Sequence, residues 1–135
     1  MWYERSVFYQ IYPLGFCAAP QTNDGVLKNR IERVIKWIPH LEKLHVGAVL
    51  FNPIFESDAH GYDTRDLTQV DVRLGTNDDF AAVCAALHAA GMRVVLDGVF
   101  NHVGREHVWV QRALAEGPDS EVAGLARIDW SSGQG

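Results

Sequence analysis

The sequence predicts an α/β fold with a parallel β-sheet, because short apolar runs alternate with segments of helical periodicity. Three β-rich runs, at 6–12, 48–52 and 92–100, are separated by two segments whose apolar residues recur every three or four positions. This strand–helix–strand order is typical of parallel sheets with right-handed crossovers. The composition, 47% hydrophobic and 21% charged over 135 residues, is that of a globular domain.

The first strand is predicted over the run SVFYQIY, which stops at Pro13 and Gly15. The polar stretch that follows, rich in turn residues, is predicted to be a loop. From Val26 onward the apolar residues predict one amphipathic helix, with a stripe formed by Leu27, Ile31, Val34, Ile35, Ile38, Leu41 and Leu44. Pro39 is expected to kink or divide that helix.

The second strand, AVLFN, is apolar without alternation, as expected of a parallel strand buried on both faces. A long polar loop is predicted to follow over 57–76. A second helix is predicted over 77–91, with Thr76 or Asn77 as its cap, acidic residues in its first turn and Gly91 at its end. The run MRVVLDGVF is predicted to be the third strand.

Polar residues follow the second and third strands at the point where each strand ends. The loops after Asn52 and Asp97 both emerge at the carboxyl ends of parallel strands, and therefore on one face of the sheet. Asn101 and His102 lie in the turn just beyond Asp97. Active sites of parallel α/β proteins are built on this face, so the sequence predicts a polar cleft there.

Charge and hydropathy exclude several classes of partner. The net charge is -5 and no basic stripe is present, which argues against nucleic acid and anionic membrane surfaces. No apolar run approaches the roughly 18 residues of a membrane span, and the first residues do not resemble a signal peptide. We therefore expect no membrane partner and a cytoplasmic location. Cys17 and Cys84 form no Cys-x-x-Cys pattern and are expected to be reduced thiols.

The segment after the third strand departs from the alternating pattern. A short helix is predicted over 106–117, and the residues beyond it show neither a helical stripe nor a long strand. One interpretation that stays open is an unrelated small α/β domain, in which Asp97, His102 and His107 form a metal or hydrolytic site. Such clusters have low specificity as sequence signals.

Three motifs in register carry a resemblance to a known family. The stretches VFYQIYPLGF, HGYDTRDLTQVDVRLGT and LDGVFNHVG together resemble the amino-terminal part of the alpha-amylase family, glycoside hydrolase family 13. The resemblance implies that residues 1–104 form the first three βα units of a (β/α)8 TIM barrel. Residues 105–135 are then the start of the subdomain inserted after the third strand.

The resemblance also implies a reaction. Members of this family include retaining α-glycosidases acting on α-glucans or maltodextrins, whose two catalytic carboxyl groups stand about 5 to 5.5 Å apart. In the family the nucleophile follows the fourth strand, the acid/base follows the fifth, and a further aspartate follows the seventh. We therefore expect this chain to be a fragment that carries no catalytic carboxylate and needs the remainder of the barrel as its partner. The alternative is a non-catalytic, amylase-like protein that binds carbohydrate or has a structural role.

Two residues match the family's sugar contacts. Tyr62 matches the tyrosine that stacks on the sugar at the cleavage subsite, a role that suits an aromatic face against pyranose C–H groups. A buried core tyrosine is the plainer alternative. His102 matches the histidine that hydrogen-bonds the same sugar. A structural histidine after a strand is the alternative in its case.

The other candidate residues have supporting roles in the family. Asp97 matches an aspartate that supports the site through hydrogen bonds. Asn101 matches an asparagine that ties down the next loop and in many relatives ligates calcium. One amide oxygen is far too little for a calcium site, so no metal or cofactor is expected here, while calcium binding by the full-length enzyme stays open. His60 is expected to line the same cleft, and Asp63 to orient a partner supplied by the rest of the barrel. A solvated loop residue is the alternative for each of them.

The sequence also departs from the family pattern next to Tyr62. Many relatives that cut α-1,6 links or act on chain ends carry an aspartate three residues before this tyrosine, and here that position is Ala59. Asp58 is one place away. This difference favours an activity on α-1,4 links that is endo-acting or of the cyclodextrin and maltodextrin type.

Overall fold

The computed structural model describes residues 1–125 and 127–132. Five strands occur in this part of the chain: β1 (Val7–Ile11), β2 (Val46–Phe51), β3 (Phe55–Ser57), β4 (Thr64–Val70) and β5 (Arg93–Leu96). Its α-helices are α1 (Pro13–Phe16), α2 (Ile38–Lys43), α3 (Asn77–Ala89) and α4 (Val108–Glu116). Short 3-10 helices cover Trp2–Arg5, Ile31–Trp37, Ala123–Leu125 and Trp130–Ser132.

The central sheet is parallel and has the order β1-β2-β5. This confirms the prediction from the alternation of strands and helices. Ile11 is level with Phe51, and Phe51 is level with Leu96, so the three strands end together. The residues that follow each strand therefore lie side by side along the carboxyl-end edge of the sheet.

The core lies against β2, the central strand. Ala48, Val49 and Phe51 have no exposed surface, as the unalternating apolar run predicts. The ring of Phe51 meets that of Phe80 on α3 edge to face, with centroids 5.4 Å apart. The same cluster takes in the buried side chains of α3, of the 3-10 helix before α2 and of α2 itself, namely Val83, Leu87, Ile31, Val34 and Leu41.

The first predicted helix starts later than expected, and this part of the prediction is wrong. Val26 and Leu27 are exposed and lie outside any helix. The backbone N–H groups of Lys28 and Arg30 donate instead to Val72 O and Leu74 O, so this stretch runs against the segment after β4. Helical structure begins at Ile31.

Pro39 divides the helical segment, as predicted. The 3-10 helix ends at Trp37, α2 begins at Ile38, and Pro39 lies in the first turn of α2, where its missing N–H costs no hydrogen bond.

The predicted polar loop over 57–76 is wrong in part, because it contains most of an antiparallel hairpin. β3 pairs with β4 with an irregular register, Ser57 lying opposite Thr64. Polar residues of this segment are buried in pairs: Asp71 and Arg73 have almost no exposed surface and form an ion pair. The longer strand of the hairpin, β4, has the sequence TRDLTQV with only two apolar residues, so it gives no apolar run or alternation by which the hairpin could be predicted.

The second helix is capped as predicted. Thr76 Oγ1 accepts from Asp79 N at 3.1 Å, and Asp79 Oδ2 accepts from Thr76 N at 2.8 Å, which forms a capping box. Gly91 follows the helix with a φ of +77°, a conformation that favours glycine. The predicted short helix before Gly117 is also confirmed as α4.

Both cysteines are free thiols, as predicted. Burial raises the pKa of the Cys17 thiol to about 11, so this thiol is protonated at neutral pH. Within the described part of the chain, no helix is both long and apolar enough to cross a membrane.

The sheet has two free edges within the described residues, since β1 and β5 each pair only with β2. An unpaired edge presents backbone N–H and C=O groups that can pair with another strand. Phe8, on β1, adds apolar surface, with 43% of the residue exposed.

We predict that the isolated chain self-associates through these edges or stays partly molten. Phe8→Lys should lower the associated fraction, because a lysine on an edge strand discourages strand pairing. Size-exclusion chromatography with light scattering measures this, combined with a thermal melt. Leu44→Lys is the matched control, since Leu44 is 46% exposed at the end of α2, away from both edges. A monodisperse wild-type monomer with a sharp melting transition would contradict the prediction.

Candidate functional site

Four polar side chains form a hydrogen-bonded row across the carboxyl ends of the parallel strands. Gln10 Nε2 donates to Asn52 Oδ1 at 2.9 Å, and Asn52 Nδ2 donates to Tyr62 Oη at 2.7 Å. Tyr62 Oη donates to Asp97 Oδ2 at 3.2 Å. We call Gln10, Asn52, Tyr62 and Asp97 the carboxyl-end row. It joins two of the predicted site residues, Tyr62 and Asp97.

The ends of the strands bring these side chains into line. Asn52 N donates to Ile11 O at 2.9 Å, and Asp97 N donates to Phe51 O at 2.9 Å. Backbone pairing therefore extends one residue beyond β2 and β5. Asn52 and Asp97 are held as rigidly as strand residues, although each begins a loop.

The row has a direction. Each amide or hydroxyl donates toward Asp97, whose Oδ2 accepts the last hydrogen bond of the row. The hydroxyl of Tyr62 uses its hydrogen toward Asp97 and a lone pair toward Asn52. The phenol is thus fixed at its tip, while 36% of the residue remains exposed.

Asp63 organises the loop that carries Tyr62. Its carboxylate accepts from Ala59 N at 2.8 Å, His60 N at 3.1 Å and Gly61 N at 3.2 Å. Gly61 has a φ of +91°, and a Cβ there would meet Pro53 at 3.3 Å, so the turn requires glycine. Asp63 therefore orders its own loop and is not a solvated side chain.

His60 lies next to Tyr62 and faces a cleft. Its Nδ1 accepts from Tyr62 N at 3.2 Å, and its carbonyl oxygen accepts from Tyr12 Oη at 3.2 Å. His60 and Tyr12 line a cavity of about 510 Å³ together with Leu14, Pro20 and Ala59. Tyr62, Asp97 and His102 do not line this cavity, and a place for His60 in the same cleft as those residues stays a prediction.

Asn101 and His102 stand apart from the row. Both side chains are exposed, and neither forms a hydrogen bond with any residue that the structure describes. The loop that carries them is fixed further on, where Gly104 N donates to Thr64 O at 2.9 Å. A Cβ on Gly104 would meet Asp63 O at 2.8 Å, so only glycine allows this approach.

The family model for the alpha amylase catalytic domain matches residues 10–128. The chain belongs to the alpha-amylase family. It is 36% identical over 115 residues to the trehalose-6-phosphate hydrolase of Escherichia coli, and 37% identical over 120 residues to a cyclomaltodextrinase of a Bacillus species. These alignments cover 84% and 77% of this chain, but 20% and 22% of the relatives. The chain thus spans about a fifth of the length of the curated relatives it matches.

Solved structures of the alpha-amylase family agree with the fold. The crystal structure of the trehalose-6-phosphate hydrolase of Bacillus licheniformis matches with a TM-score of 0.74 at 31% identity, covering 90% of this chain and 21% of that one. The structural neighbours are TIM-barrel enzymes, so β1, β2 and β5 are the first three strands of a (β/α)8 barrel, as the sequence predicts.

Three residues that hold the site together were not predicted from the sequence. Gln10 and Asn52 belong to the carboxyl-end row, and Arg73 binds the carbonyl of Ala59 in the Tyr62 loop at 2.8 Å. The position of Asn52 at the end of a buried strand is a signal that was available. Nothing in the sequence marks Arg73 as a buried residue.

His107 has a structural role in this alpha-amylase chain. It is fully buried, and its Nδ1 accepts from Trp109 N at 3.1 Å, which caps α4. Its Nε2 is buried without a partner among the described residues. No group of three His, Cys, Asp or Glu side chains placed to hold a metal ion occurs in the described part of the chain. The arrangement does not favour the metal site of Asp97, His102 and His107.

We predict that stability falls as the pH drops below about 6.5. Burial lowers the pKa of His107 from its ordinary value of 6.5, an effect that the charge of Asp66 partly offsets. Below pH 6.5 the unfolded chain binds a proton at this residue that the folded chain does not, so protonation favours unfolding. Thermal unfolding of the complete enzyme at pH 7.5 and 5.5 measures the loss.

His107→Asn should reduce that loss, because asparagine can cap the helix without titrating. His88→Asn is the control, since His88 is exposed on α3. If His107→Asn kept the full difference between the two pH values, His107 would not be its source.

Proposed function

We propose that this chain is the amino-terminal part of the catalytic barrel of a retaining α-glycosidase acting on α-glucans or maltodextrins. In this proposal it supplies the sugar-binding side of the site. The carboxyl-end row is the observation that carries the proposal. It holds Tyr62 by its hydroxyl at the face where barrel enzymes build their active sites, and leaves the residue 36% exposed.

Tyr62 is proposed to stack on the sugar ring. An aromatic ring fixed at its tip presents a rigid apolar face, and pyranose C–H groups complement such a face. Asp97 is proposed to support this ring through its hydrogen bond at 3.2 Å, without attacking the sugar. A carboxylate that accepts a hydrogen bond from the hydroxyl is well placed to hold that hydroxyl in position.

His102 is proposed to hydrogen-bond the same sugar. Its imidazole is exposed and has no hydrogen bond within the described residues, so its ring nitrogens are available to a ligand. His60 and Asp63 are proposed to shape the cleft by fixing the turn before Tyr62. Asn101 is proposed to tie down the loop after β5 through groups outside the described residues, since its exposed side chain forms no hydrogen bond within them.

The nucleophile and the acid/base are proposed to come from the part of the barrel outside this chain. Asp63 accepts three backbone N–H groups and Asp97 accepts the Tyr62 hydroxyl, so both carboxylates nearest Tyr62 in sequence or contact have structural partners. Retention of configuration needs a separate pair of carboxyl groups, one as nucleophile and one as acid/base. In this proposal the sugar that this chain binds lies between the nucleophile and the acid/base.

We propose α-1,4 links as the substrate. Ala59 offers no carboxylate at the position where α-1,6-cutting relatives carry aspartate. The neighbouring Asp58 is paired with Arg65 and so has a structural partner of its own. Relatives of this chain carry the names trehalose-6-phosphate hydrolase, cyclomaltodextrinase and oligo-1,6-glucosidase, so their names do not decide between α-1,4 and α-1,6 links. An assay with several α-glucosides is therefore part of the test.

The remaining parts of the proposal concern organisation. We propose residues 1–104 as barrel and residues 105–135 as the start of the inserted subdomain, a division supported by the cap of α4 at His107. A cytoplasmic location is supported by the two free thiols. No cofactor is required for the proposed chemistry, and calcium binding by the complete enzyme is left to direct metal analysis.

We predict that the complete enzyme releases the α-anomer first from maltotriose and cleaves maltotriose faster than isomaltose. This chain alone should show no hydrolysis above background, because removal of the catalytic carboxylates costs many orders of magnitude in rate. Proton NMR of the first product and a reducing-sugar assay measure both results.

A β-anomer as first product would contradict the retaining mechanism. Turnover by the chain alone that Asp97→Asn abolished, with contaminating enzyme excluded, would show that the catalytic groups lie within these residues.

We predict that Tyr62→Ala or His102→Ala lowers kcat/KM of the complete enzyme by roughly 10- to 1000-fold. Each contact should strengthen as the sugar distorts toward its oxocarbenium-like transition state. Steady-state kinetics with maltotriose measure the loss. Tyr3→Ala and His88→Ala are matched controls, because Tyr3 is 47% exposed in the first 3-10 helix and His88 is exposed on α3. Wild-type kcat/KM in either site variant would show that the residue does not bind the sugar and has only a structural role.

A further inference from the structure

We propose that Asn52 is a positioning residue for Tyr62. Its side-chain amide fixes the tyrosine hydroxyl, and through it the ring, in the orientation that receives the sugar. This inference rests on the proposed function, since the stacking role of Tyr62 is assigned there. The observation behind it is the hydrogen bond from Asn52 Nδ2 to Tyr62 Oη at 2.7 Å.

The bond from Asn52 is the shorter of the two that hold the Tyr62 hydroxyl. Tyr62 Oη lies 2.7 Å from Asn52 Nδ2 and 3.2 Å from Asp97 Oδ2. An N–H···O distance at the short end of the usual range indicates a well-formed bond, whereas 3.2 Å is long for O–H···O. Asn52 therefore makes the closer of the two contacts, and this contact joins the hydroxyl to the end of β2.

Asn52 is itself fixed at two points. Its backbone N–H donates to Ile11 O at 2.9 Å, and its side-chain Oδ1 accepts from Gln10 Nε2 at 2.9 Å. With its carbonyl oxygen turned toward Gln10, the amide nitrogen faces Tyr62. The side chain cannot rotate without breaking its hydrogen bonds to Gln10 and Tyr62. Asn52 thus links the rigid end of β2 to a residue that belongs to a loop.

The two ends of Tyr62 are held by different parts of the fold. Its backbone N–H donates to His60 Nδ1 within the loop, while its hydroxyl is held by the strand ends. If the amide of Asn52 is removed, the ring keeps only the longer bond to Asp97 and is free to swing about its backbone. A displacement of about 1 Å at a reacting centre can cost on the order of 100-fold in rate.

A double-mutant cycle in the complete enzyme tests the inference with maltotriose as substrate. Asn52→Ala should lower kcat/KM about 10-fold in the wild-type background, with the loss mainly in kcat, because the ring is needed most in the transition state. In the Tyr62→Phe background the same change should cost less than about 2-fold, because the hydroxyl that Asn52 holds is already absent. Non-additivity of this kind is not expected of a purely structural residue.

Asn52→Leu, similar in size but without either hydrogen bond, separates the lost contact from a cavity left by alanine. Thermal melts of all variants check folding. Asn29→Ala is the matched control, because Asn29 also makes two hydrogen bonds, to Asp79 and Glu32, on an exposed segment outside the row. It should keep wild-type kcat/KM.

The outcomes separate the inference from the proposed function. Equal losses from Asn52→Ala in the wild-type and Tyr62→Phe backgrounds, or no loss in the wild type, would overturn the positioning role alone, provided that Tyr62→Ala still impairs the enzyme. No loss from Tyr62→Ala would overturn the sugar-binding role of Tyr62, and the role of Asn52 with it.

Discussion

The buried ion pair between Arg73 and Asp71 is the contact on which the site face depends. Arg73 Nε and Nη2 bind the two carboxylate oxygens of Asp71 at 2.8 and 2.6 Å, and Nη2 also donates to Ser57 Oγ at 3.0 Å. Nη1 donates to Pro20 O at 2.9 Å and to Ala59 O at 2.8 Å. A buried guanidinium is tolerated only where its donors find acceptors, and here they come from three separate segments.

This contact and the carboxyl-end row hold the Tyr62 loop from opposite sides. Arg73 holds the carbonyl of Ala59 where the loop begins, and Asp63 takes the N–H of the same residue at 2.8 Å. Asn52 and Asp97 then hold the hydroxyl at the far end of Tyr62. The ring is thus placed by the sheet as well as by the hairpin whose connecting loop carries it. Polar contacts that are individually modest become specific when they converge on one side chain.

Local signals were sufficient for the three strands of the parallel sheet and for α3, because each is encoded by neighbours in sequence. The apolar run of β2 and the cap at Thr76 are of this kind. The hairpin and the late helix start were missed because they depend on distant partners, such as Val72 O for the N–H of Lys28. The same limit holds at the site. Motifs single out Tyr62, but only the fold shows which side chain holds its hydroxyl.

The loop that follows β5 is fixed by backbone hydrogen bonds at both of its ends. Asp97 N is bound by Phe51 O, and Gly104 N is bound by Thr64 O at 2.9 Å. Between these two anchors Val99 is buried, whereas Asn101 and His102 are exposed. The number of residues between the anchors therefore sets where the His102 imidazole stands relative to Tyr62. An insertion or deletion in this segment would move the imidazole while the barrel strands stay in place.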